Sequence, residues 1–230
     1  MNMDTTNTIL YTEHLTRRFK TGSSTVTALN DVNISVERNK LTILRGRSGS
    51  GKTTLINLIG ALDYPTEGKV FFLGDEISKF SEGQRDRLRR KKIGFIFQSV
   101  ALISTMTALE NVEFALRIAG YPASKRRERA ERCLDLVGLA KRMKHRPAEL
   151  SGGEQQRVAI ARAIAHKPQI IFADEPTAAL DSVMGLQIVK LFKELVAREE
   201  ITIVMTTHDP SMMEVADRVY TLEDGVVTDE

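Results

Sequence analysis

Leu41-Thr-Ile-Leu-Arg-Gly-Arg-Ser-Gly-Ser-Gly-Lys-Thr-Thr-Leu-Ile-Asn-Leu58 decides the fold. The apolar run Leu41–Leu44 stops before Gly46, and an apolar helical pattern (Leu55, Leu58, Ile59, Leu62) begins after Lys52. Between them Gly46, Arg47, Ser48, Gly49, Ser50, Gly51, Lys52 and Thr53, with Thr54 directly after, follow the pattern Gly-x-x-x-x-Gly-Lys-Thr, the strand, glycine loop and helix order of a phosphate-binding loop (Walker A). Glycines let consecutive backbone N–H groups turn inward around phosphates, and the new helix points its positive end at them. Lys52 adds a full charge on the outer phosphates, and the Thr53 hydroxyl can ligate Mg2+. A bland Gly/Ser turn of this pattern arises by chance with a probability on the order of one per cent. The flanking strand and helix reduce that further, so a nucleotide site is expected here.

The remaining composition sets bounds. At 230 residues the chain fits one domain, or one domain with a sizeable insertion. It is 42% hydrophobic and 27% charged, ordinary for a globular protein with a full core. No run of about 18 apolar residues exists, so no membrane-spanning helix is expected. Met1 to Thr8 is polar and lacks the basic and apolar regions of a signal peptide. Cys133 is the single cysteine, which excludes an intrachain disulfide and fits a reducing cytoplasm. Its neighbours Ala130, Leu136 and Val137 predict packing within a helix. A net charge of +3 is too small to argue for a nucleic-acid partner.

Outward from the loop, the first part reads as short β-branched strands: Ile9 to His14, Val26 to Leu29, Val32 to Val36 and Leu41 to Leu44. Phe19 stands in a polar, basic stretch. Val70 to Leu73 predicts a further strand. Ser81 and Gln84 form a capping box that opens a basic helix to Lys92, whose charges read as a solvated face. Ile93 to Phe97 is a compact strand ending in Gln98. Thr107 and Glu110 cap a helix to Ala119, and a helix of mixed charge runs from Ser124 to Gly138. Ser151 and Glu154 make another capping box, with its helix reaching Ala165. Ile170 to Phe172 is unbroken apolar, the pattern of a parallel strand buried on both faces, and Ile201 to Met205 reads as another buried strand. Asp181 caps the helix Val183 to Arg198, and Asp224-Gly225 is a hairpin turn. Helix and strand alternate in the second half, while the N-terminal part and the far end pair antiparallel.

In open parallel sheets, ligands bind beyond the carboxyl ends of the strands. Those ends here carry the glycine loop after Leu44, Gln98 after Phe97, Asp174-Glu175 after Ala173, and His208 after Met205. Beside a phosphate loop, one carboxylate can hold a magnesium ion through water and a second can deprotonate the attacking water.

The order Gly46–Thr53, Gln98, Leu150-Ser-Gly-Gly-Glu-Gln-Gln-Arg157, Ile170–Glu175, Ala179-Leu180-Asp181 and His208 resembles the ATP-binding-cassette ATPases over essentially the whole chain. The resemblance implies an α/β fold: a P-loop NTPase core with a mainly parallel sheet, an N-terminal antiparallel β subdomain and a helical subdomain. One cassette is expected over 1–230, with the core about 1–97 and 160–230 and the helical part about 98–159. It implies ATP and Mg2+ as cofactors. Lys52 would contact the outer phosphates, while Thr53, Gln98 and Asp174 would serve the metal. Glu175 would be the general base, and Gln98 and His208 would sense the γ-phosphate. Ser151, Gly152 and Gly153 would reach the nucleotide of a second copy in a head-to-tail homodimer, with Asp181 coupling the two sites. Phe19 resembles the aromatic that stacks on adenine, although tyrosine is commoner there. Ala179 likewise stands where serine is frequent.

Ile93–Gln98, Thr107–Val112 and Glu149–Ile160 are similar to the branch serving lipoprotein release, macrolide and peptide export, haem export and cell division. That implies an ATPase subunit on the inner face of the cell membrane, held there by a permease on a separate chain. A DNA-repair ATPase of the same superfamily would carry a long or zinc-bearing insertion after Gln98, and a small-molecule kinase leaves Ser151–Arg157 unexplained. The apolar loop Ser99–Met106 is expected to meet the permease rather than fill the core.

Overall fold

Strand pairing divides the chain between two sheets. The computed structural model describes residues 7–229; Met1–Thr6, most of the polar opening stretch, and Glu230 lie outside the described residues. β1 (Thr8–Thr21) pairs antiparallel with β2 (Ser24–Val32) and with β3 (Ser35–Glu37). β4 (Leu41–Arg45) then leads through the glycine loop into α1 (Lys52–Ile59). β5 (Glu67–Phe72) returns to β1, with β6 (Asp75–Glu76) on its other edge. After α2 (Glu82–Lys92) comes β7 (Ile93–Ile96), and then α3 (Ala108–Ile118), α4 (Arg126–Leu136) and α5 (Gly152–Ile164) form a helical block. β8 (Ile170–Ala173), α6 (Ser182–Glu199), β9 (Thr202–Thr207), β10 (Arg218–Glu223) and β11 (Val226–Asp229) complete the order.

The second sheet runs β11-β10-β4-β9-β8-β7, parallel throughout except for the β10–β11 hairpin. Its central strands are buried on both faces and mostly apolar because each face has its own cover. Ile43, Ile171, Ala173, Ile203 and Met205 face the core formed with α3 to α6. Leu44, Ile170, Phe172 and Val204 face the other core, with α1 and the first sheet. Each fully buried side chain of this size stabilises the fold by about 1.5–3 kcal/mol. Topology thus brings the ends of β4, β7, β8 and β9 to one edge, as the strand-end punctuation predicts.

Several elements differ from their sequence expectations, each for a non-local reason. β1 continues to Thr21, since pairing with β2 carries the polar, basic stretch along, and Phe19 sits opposite Val26. The runs expected at Val26–Leu29 and Val32–Val36 divide instead after Val32. α1 stops at Ile59 with Gly60 as its C-cap, so Leu62 is exposed rather than on its apolar stripe. The basic face of α2 is not wholly solvated. Arg85 is 1% exposed, donates to the Asp63 carbonyl, and lies 3.8 Å over the Tyr64 ring. Burial depresses its pKa. Cys133 is buried in α4 as predicted, and burial pushes its thiol up to about 11. The 159/160 division falls inside one unbroken helix, α5.

Candidate active site

β4 delivers the glycine loop and α1 carries its last residues. Gly51 is the residue before α1 and has φ of 104°, a left-handed conformation that side chains rarely adopt. A Cβ there would also stand 2.6 Å from the Ala28 carbonyl oxygen of β2. Glycine is therefore required twice over, by backbone angle and by space. From the far end of the chain, Gly225 N donates to Ser50 O (3.1 Å) and Gly225 O accepts from Asn30 N (2.8 Å). The hairpin turn between β10 and β11 thus clamps the loop.

Lys52 is 5% exposed, and its Nζ donates to Gly46 O (2.8 Å) and Arg47 O (3.0 Å). The same Nζ lies 3.7 Å from Glu175 Oε1, and Glu175 Oε2 lies 3.7 Å from His208 Nδ1. Ends of three different strands have converged: Lys52 follows β4, Glu175 follows β8 and His208 follows β9.

Thr206, which sequence reasoning missed, organises the two acids. Its Oγ1 donates to Asp174 Oδ1 (2.7 Å) and accepts from Glu175 N (2.8 Å). Asp174 N in turn donates to Ile96 O (2.8 Å). Glu175 adopts φ of 44°, the left-handed region, a conformation that costs on the order of 1–3 kcal/mol for a non-glycine residue. Thr206 is the anchor that holds it. The available signal was a polar residue two places before His208 at the end of an apolar strand.

A cleft of about 330 Å³ is lined by Ala28, Ser48, Gly49, Gly51, Lys52, Thr53, Thr54, Gln98, Asp174 and Glu175. Its prospective metal donors are the Thr53 hydroxyl, the Gln98 amide and the Asp174 carboxylate, a hard oxygen set of the kind Mg2+ takes alongside phosphate oxygens and water. No cluster of three or more His, Cys, Asp or Glu residues competes as a metal site among the described residues. A larger hollow of about 690 Å³ lies on the other side of the loop, reaching Arg47, Ser48, Ser50 and His208. A third, about 210 Å³, joins Asp181 to Glu175, Thr207 and His208.

Two groups of predicted residues stand apart. Phe19 does not line the phosphate cleft. It lies on the β1–β2 hairpin, 39% exposed, with the Arg17 guanidinium 4.5 Å from its ring centre. Ser151, Gly152 and Gly153 lie at the start of α5, none of them lining these clefts. Ser151 Oγ accepts from Glu154 N, and Glu154 Oε2 accepts from Ser151 N (2.9 Å). That backbone bond, more than the nearby Arg142, holds the Glu154 carboxyl below its ordinary pKa. Asp181 caps α6 by accepting from Met184 N (2.9 Å). Met184 also covers the start of α5: a Cβ on Gly153 would collide with its Cε.

The expected docking loop is only partly exposed. Leu102 packs against the core under the helical block, Ile103 is half-buried, and Ala101 is exposed. Asn111 of α3, 1% exposed, holds Ile103 through both its N (2.9 Å) and its O (3.2 Å).

A model of the ABC transporter family matches residues 29–178. The macrolide export ATP-binding/permease protein MacB of Bradyrhizobium diazoefficiens is 45% identical over 98% of this chain. The chain spans only about a third (34%) of that relative's length. An ABC transporter ATP-binding protein of Methanocaldococcus jannaschii is 45% identical over 90% of this chain and 92% of its own. Among solved structures, the dimeric post-hydrolysis state of the ATP-binding cassette MJ0796 bound to ADP and Pi aligns with a TM-score of 0.87 at 40% identity. That alignment covers 96% of this chain and 97% of the other. The chain belongs to the ABC transporter family and is an ATP-binding-cassette ATPase domain.

Proposed function

We propose that this ABC ATPase domain hydrolyses MgATP in a head-to-tail pair of its own copies and transmits the resulting motion to a permease carried on another chain. The observation that carries the reading is the convergence of Lys52, Asp174, Glu175 and His208, with Thr206 bonding both acids. Lys52 binds the β- and γ-phosphates, and the loop amides before α1 cradle them. Thr53, Asp174 and Gln98 would hold Mg2+, which when bound neutralises charge on the phosphate oxygens. Glu175 accepts a proton from the water that attacks the γ-phosphate. His208, 3.7 Å from that carboxylate, sits where it can touch the γ-phosphate and keep the glutamate oriented.

Pairing accounts for the separation between the two phosphate-binding elements. The start of α5 is absent from the cleft that Lys52 lines, so its exposed residues Ser151 and Gly152 are available to the nucleotide of a second copy. The dimeric state of the similar MJ0796 cassette supports this. A permease partner is supported by the similarity to MacB, an ATP-binding/permease protein. The export branch is supported by the similarity to MacB. Exposed Phe97, Phe114 and Ile118 bracket the loop after Gln98, on the strand end before it and the helix after it, and give the permease an apolar seat. Among the described residues no helix is long and apolar enough to cross a membrane. In this reading the permease holds the domain at the inner face of the membrane.

Light scattering on Glu175→Gln tests the pairing. The amide keeps the shape of the carboxylate but cannot take the proton, so ATP persists and stabilises the pair by mass action. A monomer without nucleotide and a dimer with ATP is expected; a mutant that stays monomeric at saturating ATP and high protein concentration defeats the pairing. Copurification from native membranes would identify the permease, and its recovery on the same polypeptide would defeat the separate-chain reading.

A further inference from the structure

Arg162 lies on α5, the helix that begins with Ser151–Gly153, and points back at the loop behind Gln98. Its Nη1 donates to Ala101 O (2.7 Å) and its Nη2 to Val100 O (3.1 Å). Ala101 takes φ of 44°, a left-handed turn in the backbone between those carbonyls and the following Leu102. Burial holds the guanidinium below its ordinary pKa, and among the described residues no carboxylate pairs with it. A half-buried cation without an acid carries a desolvation cost, and here its charge is directed at two main-chain oxygens. The nearby Arg129 differs, since it has Glu199 at 3.6 Å besides its carbonyl acceptors.

The rest of the loop is held by the helical block too. Asn111 Nδ2 donates to Ile103 O, Met106 O and Thr107 O. The far end of α5 is seated on β7, the strand that delivers Gln98. A Cβ on Gly94 would stand 2.7 Å from Ala163 O, so only glycine admits so close an approach. His166 Nε2 lies 3.0 Å from Ile93 O. Strand, Gln98, loop and α5 therefore close a ring, with Arg162 as its fastening. From Gly153 to Arg162 the helix rises roughly 14 Å, and a packed helix of that length tilts as a rod.

We propose that Arg162 is a positioning residue coupling the two nucleotide half-sites of one chain: it fastens the loop behind Gln98, which reads this chain's nucleotide, to the helix whose start closes over the partner copy's. A tilt imposed at Ser151–Gly153 is passed to Val100 and Ala101, and so to Gln98 two residues earlier. This rests on the pairing proposed above.

Arg162→Lys and Arg162→Ala in the full chain test it, with melting temperature and ATP affinity of the dilute monomer as controls. In the native enzyme ATPase rate should rise with ATP with a Hill coefficient approaching ~2, the coupling signature of two linked sites. Arg162→Lys should fold, bind ATP within about twofold of native, lose about tenfold in kcat, and drop its Hill coefficient toward ~1, as coupling of ordinary size would predict. Arg162→Ala should show the larger loss. Native kcat and cooperativity in Arg162→Lys would overturn the proposal, as would a fall in ATP affinity matching the fall in kcat. Failure of Arg162→Lys to fold would make the residue structural and overturn it equally. Failure of Glu175→Gln to pair would instead remove the pairing itself, which separates the two outcomes.

Discussion

α1 and α5 both begin at glycines, yet their first turns are built in opposite ways. Gly51 precedes α1 with no side-chain cap, and the following residue is a buried lysine. The start of α1 is thus positive twice, through free amides and through Lys52. α5 opens with the closed box of Ser151 and Glu154, which satisfies the amides of those two residues and places a carboxylate in the first turn. An anion is drawn to the first arrangement and only tolerated by the second. The difference teaches that two helix starts of similar composition need not bind alike. In the proposed reaction α1 would be the primary phosphate holder, whereas α5 would suit a phosphate already held and neutralised by another set of charges.

Lys52→Ala strikes the stronger partner in that comparison. It removes a charge-assisted contact of about 1.5–3 kcal/mol, more where water is excluded. ATP affinity, measured by equilibrium titration, should fall at least tenfold and turnover should vanish; wild-type turnover would erase the distinction. Glu175→Gln leaves the holder intact and removes the base, so kcat should fall about 10²–10⁴-fold while ATP affinity stays near native. Ser151→Ala opens the cap of α5 at a cost of about 1 kcal/mol of helix stability. Monomer affinity for ATP should be unchanged while kcat drops by an order of magnitude. If monomer affinity fell as it does in Lys52→Ala, the two helix starts would be equivalent after all. The smallest effect concerns the loop gripped by α5. Ile103→Glu should leave basal ATPase near native and weaken only permease-stimulated turnover, whereas Leu102→Glu, which places a charge against the core, should lower the melting temperature. Native melting temperatures for both would show that neither side chain is held against the core.

These contrasts were unequally legible in the sequence. Gly46–Thr53, the capping boxes at Thr107 and Ser151, and the apolar runs at Ile170 and Ile201 announce themselves because local chemistry demands those residues. So the parallel sheet, its strand ends and the charged cleft could be read before any coordinates. Three kinds of feature could not. The length of β1 is set by β2, a partner that no local pattern names. Arg85 reads as one more surface arginine, yet Tyr64 and the Asp63 carbonyl enclose it. Thr206 and Arg162 act through hydrogen bonds to residues 31 or more positions away, and their types are common in strands and helices. The docking loop fell between: its apolarity was visible, but Asn111 and Leu102 decide which side chains face inward.

The clamp that Gly225 places on Ser50 also orders events in time. Ser50 and Asn30 are made early, and their fastening at Gly225 follows most of a chain later. At a translation rate of roughly 5–20 residues per second, the glycine loop waits on the order of ten seconds or more for the turn that closes its rim. Closing so long a loop is also the slow kind of contact in refolding. Nascent chains stalled before Asp224 are expected to leave the loop open to protease and to retain ATP poorly; full protection at that length would show that the rim closes without the turn. A cassette assembled in this order acquires its nucleotide only once the turn at Asp224-Gly225 has been made, which keeps an unfinished domain from binding fuel.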